Sequence, residues 1–375
     1  MIRLAKAAAL GLLLILPARA FAQAQPQPVV EKELSVLTYN VAGLPWPVRK
    51  DRGEALKAIG RELAKMRAEG RAPDVVLVQE AFRDEIHDLI RLSGYPHHAR
   101  GPKRKQRDPA LLDKPAQYKR GKYWRKGEGL GKWRSSGLYI LSNYPIETRR
   151  SHAFRYCAGF DCLANKGVQL AGIRLPGAPT VIDVANTHMN ARKASRVPRL
   201  RAFRAHNLQA DELKRFVAVA HDPTAPLVVG GDFNIRKAPD RYNYMFEDYD
   251  FDVASEYCWR SLAAGACAIK VSMDGDAPWL DTQDLIGSTA GTGASIWPIE
   301  IEALFDGQNE PVLSDHDGLM VRFRVRWPKY EPPVVALPQS SVEPAPGKAG
   351  MFQPNSSAPE RMDSAAAKPA PPAHQ

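Results

Sequence analysis

Acidic, amide and imidazole side chains recur along this chain directly after short apolar stretches. In the clearest case, PLVVGGDFNI at residues 226–235, a β-branched run and two glycines come just before Asp232 and Asn234. Such a run is too short for a helix and predicts a buried strand, and the glycines permit a sharp turn at its end. The strand would therefore carry both polar side chains into a cleft at the edge of a sheet. With the matching positions elsewhere, the candidate set is Asn40, Glu80, His188, Asp232, Asn234, Asp284, Asp315 and His316.

The chemistry of this set is that of an enzyme acting on phosphate esters. Carboxylate and amide oxygens without cysteine suit a hard cation such as Mg²⁺, or another divalent cation. Two histidines and several acids add a candidate proton acceptor, a proton donor and their orienting partners. A metal, an activated water and a proton for the leaving oxygen are what phosphodiester hydrolysis needs. Each residue alone is better explained by a structural role, but the set at the ends of strands indicates an active site.

The elements that must position these residues follow from hydrophobic periodicity. Helical spacing of apolar residues predicts amphipathic helices over residues 54–68 and 201–219. Alternating or continuous apolar runs predict strands that end in, or lead to, the candidate residues. These predicted strands are 34–40, 74–80, 136–142, 181–186, 227–229 and 280–286, with a final strand after residue 316.

Both ends of the chain differ from its middle. Residues 1–22 have a basic start, an apolar run too short to span a bilayer and an A-x-A motif, which predicts a cleaved signal peptide rather than an anchor. Residues 331–375 contain ten prolines and no apolar period, which predicts a disordered tail. Residues 23–33 would form a short linker and residues 34–330 a single domain. We therefore expect a secreted or periplasmic protein.

The four cysteines fit an oxidising compartment of this kind. Cys157 is close in sequence to Cys162, and Cys258 to Cys267, so two local disulfides are the simplest of the three possible pairings. Neither pair has the spacing of a zinc site.

Positive charge is concentrated in one segment, residues 100–134. It contains thirteen Lys and Arg residues and three acidic residues. Its net charge of +10 is close to the formal net charge of the whole chain, which is +11. Tryptophan and tyrosine are interleaved with these cations, which suits a nucleic-acid backbone, anionic lipid head groups or another acidic polymer. A solvated loop without a partner has the same composition.

The order of the short motifs T-Y-N, Q-E, S-G-L, N-T-H, G-D-F-N, Q-D-L-I and S-D-H resembles that of the endonuclease/exonuclease/phosphatase superfamily, which has the fold of deoxyribonuclease I. The similarity runs from Leu34 to about Arg326. It implies a four-layer α/β sandwich in which two mixed β-sheets pack face to face with helices outside.

The resemblance also implies a role for each candidate residue. Glu80 would be the main Mg²⁺ ligand, with Asn40 beside it and Asp315 near the metal. His316 would activate the attacking water, oriented by Asp284. The other members would position water and phosphate (Asp232, Asn234) or assist the leaving group (His188).

A second segment, FRYCAGFDCLANKG at residues 154–167, resembles the bacterial neutral sphingomyelinase branch of the superfamily. This similarity implies that Asn165 and Lys166 lie near the cleft and bind substrate, with Lys166 contacting phosphate. That branch inserts an aromatic-tipped β-hairpin into lipid before S-D-H, whereas the equivalent residues 296–313 are few here and include only Trp297 and Phe305 as large aromatics. The basic loop, with Trp124 and Trp133, is a candidate substitute.

Three functional hypotheses follow from these patterns. The leading one is a secreted, monomeric, Mg²⁺-dependent phosphodiesterase of the sphingomyelinase C type that acts on phospholipid at a membrane surface. The alternative is a secreted nuclease that contacts nucleic acid through the basic loop 100–134. A binding protein without turnover is the third, and the complete set of acid, base and metal ligands argues against it.

Overall fold

Two β-sheets pack face to face, with helices on both outer sides. The computed structural model describes residues 28–44, 48–115, 118, 122–247 and 251–329, so the predicted signal peptide 1–22 and tail 331–375 lie outside the described residues. The strands are β1 (Val29–Asn40), β2 (Val75–Gln79), β3 (His97–Arg100), β4 (Tyr139–Ser142), β5 (Ile146–Ala153), β6 (Gly167–Ile173), β7 (Ile182–His188), β8 (Leu227–Asp232), β9 (Asp252–Val253), β10 (Ala268–Lys270), β11 (Asp284–Thr289), β12 (Ser295–Leu304) and β13 (Gly318–Pro328). The α-helices are α1 (Arg52–Ala68), α2 (Ile86–Ser93), α3 (Arg199–Ala220), α4 (Pro239–Phe246) and α5 (Ala254–Arg260). Short 3₁₀ helices cover Trp124–Lys126, Gly159–Leu163, Leu262–Ala264 and Pro278–Leu280.

Each sheet is mixed and has a parallel pair near its centre. The seven-stranded sheet has the order β10-β12-β13-β1-β2-β4-β3, and the six-stranded sheet has the order β5-β6-β7-β8-β11-β9. β1 runs parallel to β2, and β7 runs parallel to β8, whereas most other neighbours are antiparallel. The two parallel pairs place four carboxyl ends of strands at one edge of the sandwich, where chemistry is usually carried out in α/β proteins.

The hydrophobic core has three layers of packing. Between the sheets, side chains such as Val36 of β1 and Val228 of β8 are fully buried together. The outer face of the seven-stranded sheet is covered by α1 through residues such as Leu56. The outer face of the six-stranded sheet is covered by α3 through residues such as Leu213. The four-layer α/β sandwich predicted from the motif order is therefore confirmed.

The boundaries of two predicted elements differ from the structure. β1 begins at Val29, so residues 29–33 of the predicted linker belong to the sheet, where Glu31 pairs with Arg326 of β13. Asp284 begins β11 rather than ending a strand, since residues 278–280 form a 3₁₀ helix. Because β11 runs antiparallel to β8, its first residue still lies at the same edge, opposite Asp232.

Both predicted disulfides, Cys157–Cys162 and Cys258–Cys267, are present. Within the described ranges, no helix has the length and apolar character needed to cross a bilayer.

Candidate active site

The two central parallel pairs deliver four of the candidate residues to one cleft. Asn40 ends β1, and Glu80 directly follows β2. His188 and Asp232 end β7 and β8 and lie opposite each other in the register. The Asn40 side-chain amide donates a hydrogen bond to Asp232 Oδ2 at 3.0 Å, across the interface between the sheets. Sheet packing therefore joins residues that are far apart in the sequence.

A buried amide pair holds the sheets together directly beneath this cleft. Gln79 Nε2 donates to Asn186 Oδ1 at 2.8 Å. Asn186 Nδ2 in turn donates to the carbonyl oxygens of Val78 and Tyr139 at 3.0 and 2.9 Å. The Asn186 amide is thus fully hydrogen-bonded, and its contacts to β2 and β4 hold the ends of β2 and β7 in a defined position.

Two candidate residues have a left-handed backbone conformation, which is costly for a residue with a side chain and concentrates at functional sites. The φ angles of Glu80 and Asn234 are 57° and 56°. The turn at Glu80 needs a glycine on the adjacent loop, because a Cβ atom at Gly43 would lie 2.6 Å from the Glu80 carbonyl oxygen. The Glu80 carboxylate is 20% exposed, and its Oε1 atom lies 3.9 Å from His188 Nε2. The Asn234 side chain donates to the Met189 carbonyl oxygen at 3.1 Å.

Asp284 and His316 form a hydrogen-bonded pair at the opening of the cleft. Asp284 Oδ2 lies 2.6 Å from His316 Nδ1, and Gln283 Nε2 lies 2.7 Å from His316 Nε2. An Nδ1–H donating to Asp284 leaves the Nε2 lone pair facing Gln283, which is the tautomer that a proton acceptor requires. The Ser314 hydroxyl anchors the preceding loop by donating to the Asn40 carbonyl oxygen at 2.6 Å. Gln283 has no role in the sequence-based interpretation, although it is part of the Q-D-L-I motif.

The carboxylates of the cleft perturb each other and the imidazole. Burial alone would lower the pKa of His316, but the Asp284, Asp232 and Glu80 carboxylates outweigh it and raise that pKa to about 10. Burial, together with the nearby Asp284 carboxylate, raises the pKa of Asp232 to about 7. Burial also raises the pKa of Glu80. Crowded acids of this kind mark a functional site and favour a bound cation.

Replacing Asp284 by asparagine should lower the pKa of His316. The substitution removes the carboxylate that contributes most to raising this pKa, while burial, which lowers it, remains. NMR titration of the His316 ring in the metal-free protein should show a midpoint near 10 in the wild type and a clearly lower one in the variant. An unchanged midpoint would mean that Asp284 does not hold the imidazolium form.

His188 is held by a buried cation on the opposite side of the cleft. Lys166 Nζ lies 2.9 Å from His188 Nε2, 2.9 Å from the Met189 carbonyl oxygen and 2.6 Å from Asp161 Oδ1. Burial, followed by the Lys166 charge, keeps the pKa of His188 well below its ordinary value, so the imidazole is neutral and its Nε2 accepts from the ammonium. All three N–H groups of Lys166 thus have partners. In this arrangement Lys166 orients His188, and it does not offer a free N–H to phosphate as the sequence predicts. Asp161 completes the unit and is absent from the sequence-based set.

Asn165, predicted to bind substrate, is buried and hydrogen-bonded to the basic loop. Its side chain is 1% exposed, and its amide donates to the carbonyl oxygens of Lys103 and Gln106 at 2.8 and 3.0 Å. Its backbone N–H donates to the Arg134 carbonyl oxygen at 3.1 Å. Asn165 therefore ties the basic loop to the start of β6, and the structure gives it no position from which to contact substrate.

An Asn165→Ala variant should lose stability and keep its activity. Loss of two side-chain hydrogen bonds from a buried amide costs about 1–3 kcal/mol of unfolding free energy. Urea denaturation measures that loss, and hydrolysis of a small soluble diester should proceed at the wild-type rate. Asn243→Ala, which alters an exposed asparagine on α4, is the matched control and should change neither quantity. A variant of wild-type stability with a raised KM would restore the substrate-binding assignment.

Asp315, predicted to lie near the metal, is placed at the rim. Its carboxylate is 49% exposed and forms an ion pair with Arg49. The neighbouring His316 is instead directed at Asp284 inside the cleft. Asp315 is therefore outside the buried cluster.

The buried cluster has the donors that a divalent cation needs. One ligand atom each from Asp232, Asp284 and His316 lies within 4.8 Å of the others. Asp284 Oδ1 is buried and has no hydrogen-bond partner within the protein, and Glu80 adds a partly exposed carboxylate. These ligand atoms are mostly oxygens, and one of them receives no hydrogen bond from the protein, which fits Mg²⁺ or a similar hard cation. The assignment of Glu80 as the main ligand of such an ion, with Asn40 beside it, stays a prediction.

Comparison with known proteins identifies the family and agrees with the fold. The model of the endonuclease/exonuclease/phosphatase family matches residues 37–299, which include the cleft residues from Asn40 to Asp284. The chain belongs to this family. The resemblance drawn from the short motifs is thereby confirmed, and so is the similarity to the sphingomyelinase branch.

Among curated members, a sphingomyelinase of Mycobacterium tuberculosis is 29% identical over 309 residues, which are 80% of this chain and 54% of that protein. Sphingomyelinase C of Listeria ivanovii is 29% identical over 181 residues, 46% of this chain and 49% of that protein. The chain thus spans about half the length of these curated relatives. Among solved structures, Staphylococcus aureus beta toxin with bound magnesium ions aligns with a TM-score of 0.56 and 18% identity, covering 77% of this chain and 99% of that chain, which shows the shared fold.

Proposed function

We propose that this chain is a secreted phosphodiester hydrolase of the sphingomyelinase C type, which cleaves a phospholipid into a lipid alcohol and a phosphorylated head group. The observation that carries the proposal is the Asp284–His316 pair directed into a cleft of crowded carboxylates. The similarity to sphingomyelinases over 80% of the chain supports the choice of lipid. The two disulfides support an oxidising, extracytoplasmic location. We also propose that it acts as a monomer.

In the proposed reaction, His316 Nε2 accepts a proton from a water molecule whose oxygen attacks phosphorus. The bond between phosphorus and the lipid oxygen breaks, that oxygen takes a proton from solvent water as the alcohol leaves, and His316 then returns its proton to solvent. Asp284 keeps the imidazole in the required tautomer and stabilises it once protonated. Asp232 and Asn234 lie at the end of β8, where they can position the water and the phosphate.

The high pKa of His316 must fall before this side chain can accept a proton from water. An imidazole whose pKa is about 10 is protonated at neutral pH and cannot accept a proton. Asp232 and Glu80, two of the carboxylates that raise this pKa, would lie next to the bound cation, so neutralising their charge lowers the pKa of His316. When bound, Mg²⁺ would also supply electrostatic stabilisation of the phosphate charge. The bound magnesium in the beta toxin structure supports this choice of ion.

A secreted nuclease is the second candidate, and one observation favours it. Lys103, Arg104, Lys105 and Arg107 are exposed on the loop that Asn165 holds beside the start of β6. Cations in this position could neutralise the phosphates of a nucleic-acid strand.

The proposal is tested by offering sphingomyelin vesicles and supercoiled plasmid to the purified full chain, each with Mg²⁺ and with EDTA. Release of phosphocholine that requires Mg²⁺, with the plasmid intact, is the expected result. Nicked plasmid with intact lipid would replace the proposal by the nuclease. The His316→Ala variant, which should be inactive on either substrate, controls for contaminating enzymes.

A further inference from the structure

Large apolar side chains are exposed together on one part of the surface. Tyr123, Trp124, Leu130 and Trp133 are 42%, 60%, 50% and 58% exposed, and Phe160 is 39% exposed. In the part of the chain that the structure describes, these include four of the five exposed large aromatic residues. They come from residues 122–134 and 157–163, which we call the aromatic platform. Concentrated exposure of this kind marks an interaction surface rather than the scatter expected on a protein surface.

The two segments of the platform are packed on each other and are ordered before any partner arrives. The backbone N–H groups of Trp133 and Arg134 donate to the Leu163 carbonyl oxygen at 2.7 and 3.0 Å. The buried Glu128 carboxylate accepts from the backbone N–H groups of Tyr123 and Gly159, both at 3.0 Å. It also pairs with Arg201 of α3. A preordered surface binds without the entropic cost of ordering a loop.

Cations are interleaved with these aromatic rings. The Arg125 guanidinium lies 5.1 Å from the ring centre of Trp124, and Lys126 Nζ lies 5.8 Å from that of Phe160. Lys122 and Arg134 are exposed on the same segment. The exposed cations of residues 103–107 adjoin it through Asn165. Aromatic side chains beside Lys and Arg match the interface of a bilayer, where rings lie at the level of anionic head groups.

The platform shares its backbone with the catalytic cleft. Asp161, which pairs with Lys166, directly follows Phe160 in the same 3₁₀ helix. Lys132 Nζ donates to the Ala164 carbonyl oxygen at 2.9 Å, two residues before Lys166. A surface that contacts the platform therefore lies next to the cleft.

We propose that the aromatic platform docks on a lipid bilayer that contains anionic lipid and holds the cleft against the head groups. This inference deepens the proposed function. It rests on that function only to explain why the protein would bind a bilayer. Leu130, an aliphatic side chain, favours lipid over single-stranded nucleic acid, in which bases stack on aromatic rings. The described chain between β12 and β13 offers only Phe305 as a large aromatic residue, and that ring is fully buried, so this segment adds no exposed ring to the surface.

The test compares the full chain with a Trp124→Ala/Trp133→Ala variant in vesicle sedimentation. The vesicles are phosphatidylcholine with or without phosphatidylglycerol and contain no sphingomyelin. Loss of two exposed indoles should weaken binding to the mixed vesicles by about tenfold or more. An Arg125→Glu/Arg134→Glu variant should weaken binding to mixed vesicles more than to pure phosphatidylcholine. The control variant Val219→Ala/Leu262→Ala alters exposed apolar residues outside the platform and should bind as the wild type does.

Vesicle binding that is unchanged in both platform variants, or lost equally in the control, would overturn the inference. Weakened plasmid binding with unchanged vesicle binding would also overturn it, in favour of nucleic acid. Because the vesicles lack the proposed substrate, binding is measured separately from turnover. A small soluble diester should be hydrolysed equally by the wild type and the platform variants. If the wild type failed to hydrolyse this diester, the proposed function would be wrong, but the result on vesicle binding would still hold.

Discussion

Replacing His316 by alanine should reduce kcat on a small soluble diester by about a thousandfold or more, because a positioned general base contributes about 10²–10⁴-fold and its loss also leaves Asp284 unpaired. The imidazole Nε2 is the proton acceptor for the attacking water in the proposed reaction. KM should change little, because the imidazole acts mainly in the transition state. Steady-state rates at saturating Mg²⁺ measure both quantities.

His87→Ala is the matched control for this loss, because His87 is exposed on α2 and should be dispensable. The thermal midpoint of each variant separates a catalytic loss from unfolding. A His316→Ala enzyme with a kcat close to that of the wild type would show that another group accepts the proton.

Replacing Glu80 by glutamine should weaken Mg²⁺ binding and reduce kcat by about a hundredfold or more, since a catalytic cation supplies several kcal/mol of transition-state stabilisation. The substitution keeps the size of the side chain and removes its negative charge. The crowded carboxylates Asp232 and Asp284 remain, so the loss isolates the contribution of Glu80. Calorimetric titration with Mg²⁺ and rates at increasing Mg²⁺ concentration measure the two effects.

The matched control is Glu54→Gln, which alters an exposed carboxylate on α1 and should leave Mg²⁺ binding and kcat as they are. Suppose instead that Glu80→Gln binds Mg²⁺ as the wild type does and Asp232→Asn does not. The cation would then be held by the Asp232, Asp284 and His316 cluster, and the assignment of Glu80 would be wrong.

Local patterns were sufficient to predict the elements at the centre of both sheets. The runs before Glu80 and Asp232 are continuous, β-branched and buried on both faces, so periodicity and turn residues specify them. The pairing of β1 with β2, and of β7 with β8, depends on contacts between distant parts of the chain. Through the resemblance, the motif order predicts two mixed sheets packed face to face, but neither it nor the spacing predicts which strands pair.

The contacts that the structure gives Asn165 and Lys166 involve partners from other segments of the chain. The two acceptors of Asn165 lie about sixty residues earlier in the chain, on a loop with no periodic signal. The three partners of Lys166 come from two other segments that meet only in the folded protein. A sequence motif can show that such residues matter, but it cannot show whether they contact substrate or support a neighbour that does.

The aromatic platform is an intermediate case. Its tryptophans and cations are visible in the composition of residues 100–134, and a solvated loop was an equally good interpretation of that composition. The hydrogen bond from the Trp133 backbone N–H to the Leu163 carbonyl oxygen, and the burial of Glu128, distinguish the two in the folded protein. An ordered surface beside the cleft is a property of tertiary structure.

The central claim, that this cleft uses water to break the phosphodiester bond of a phospholipid, is tested most directly by phosphorus NMR of the products. Sphingomyelin vesicles are incubated with the full chain and Mg²⁺ in water enriched in the heavy oxygen isotope. We expect phosphocholine to form with a phosphorus signal shifted by one heavy oxygen, because water attacks phosphorus and the lipid oxygen leaves unlabelled. Absence of phosphocholine, or heavy oxygen in the lipid alcohol in place of the phosphate, would contradict the account.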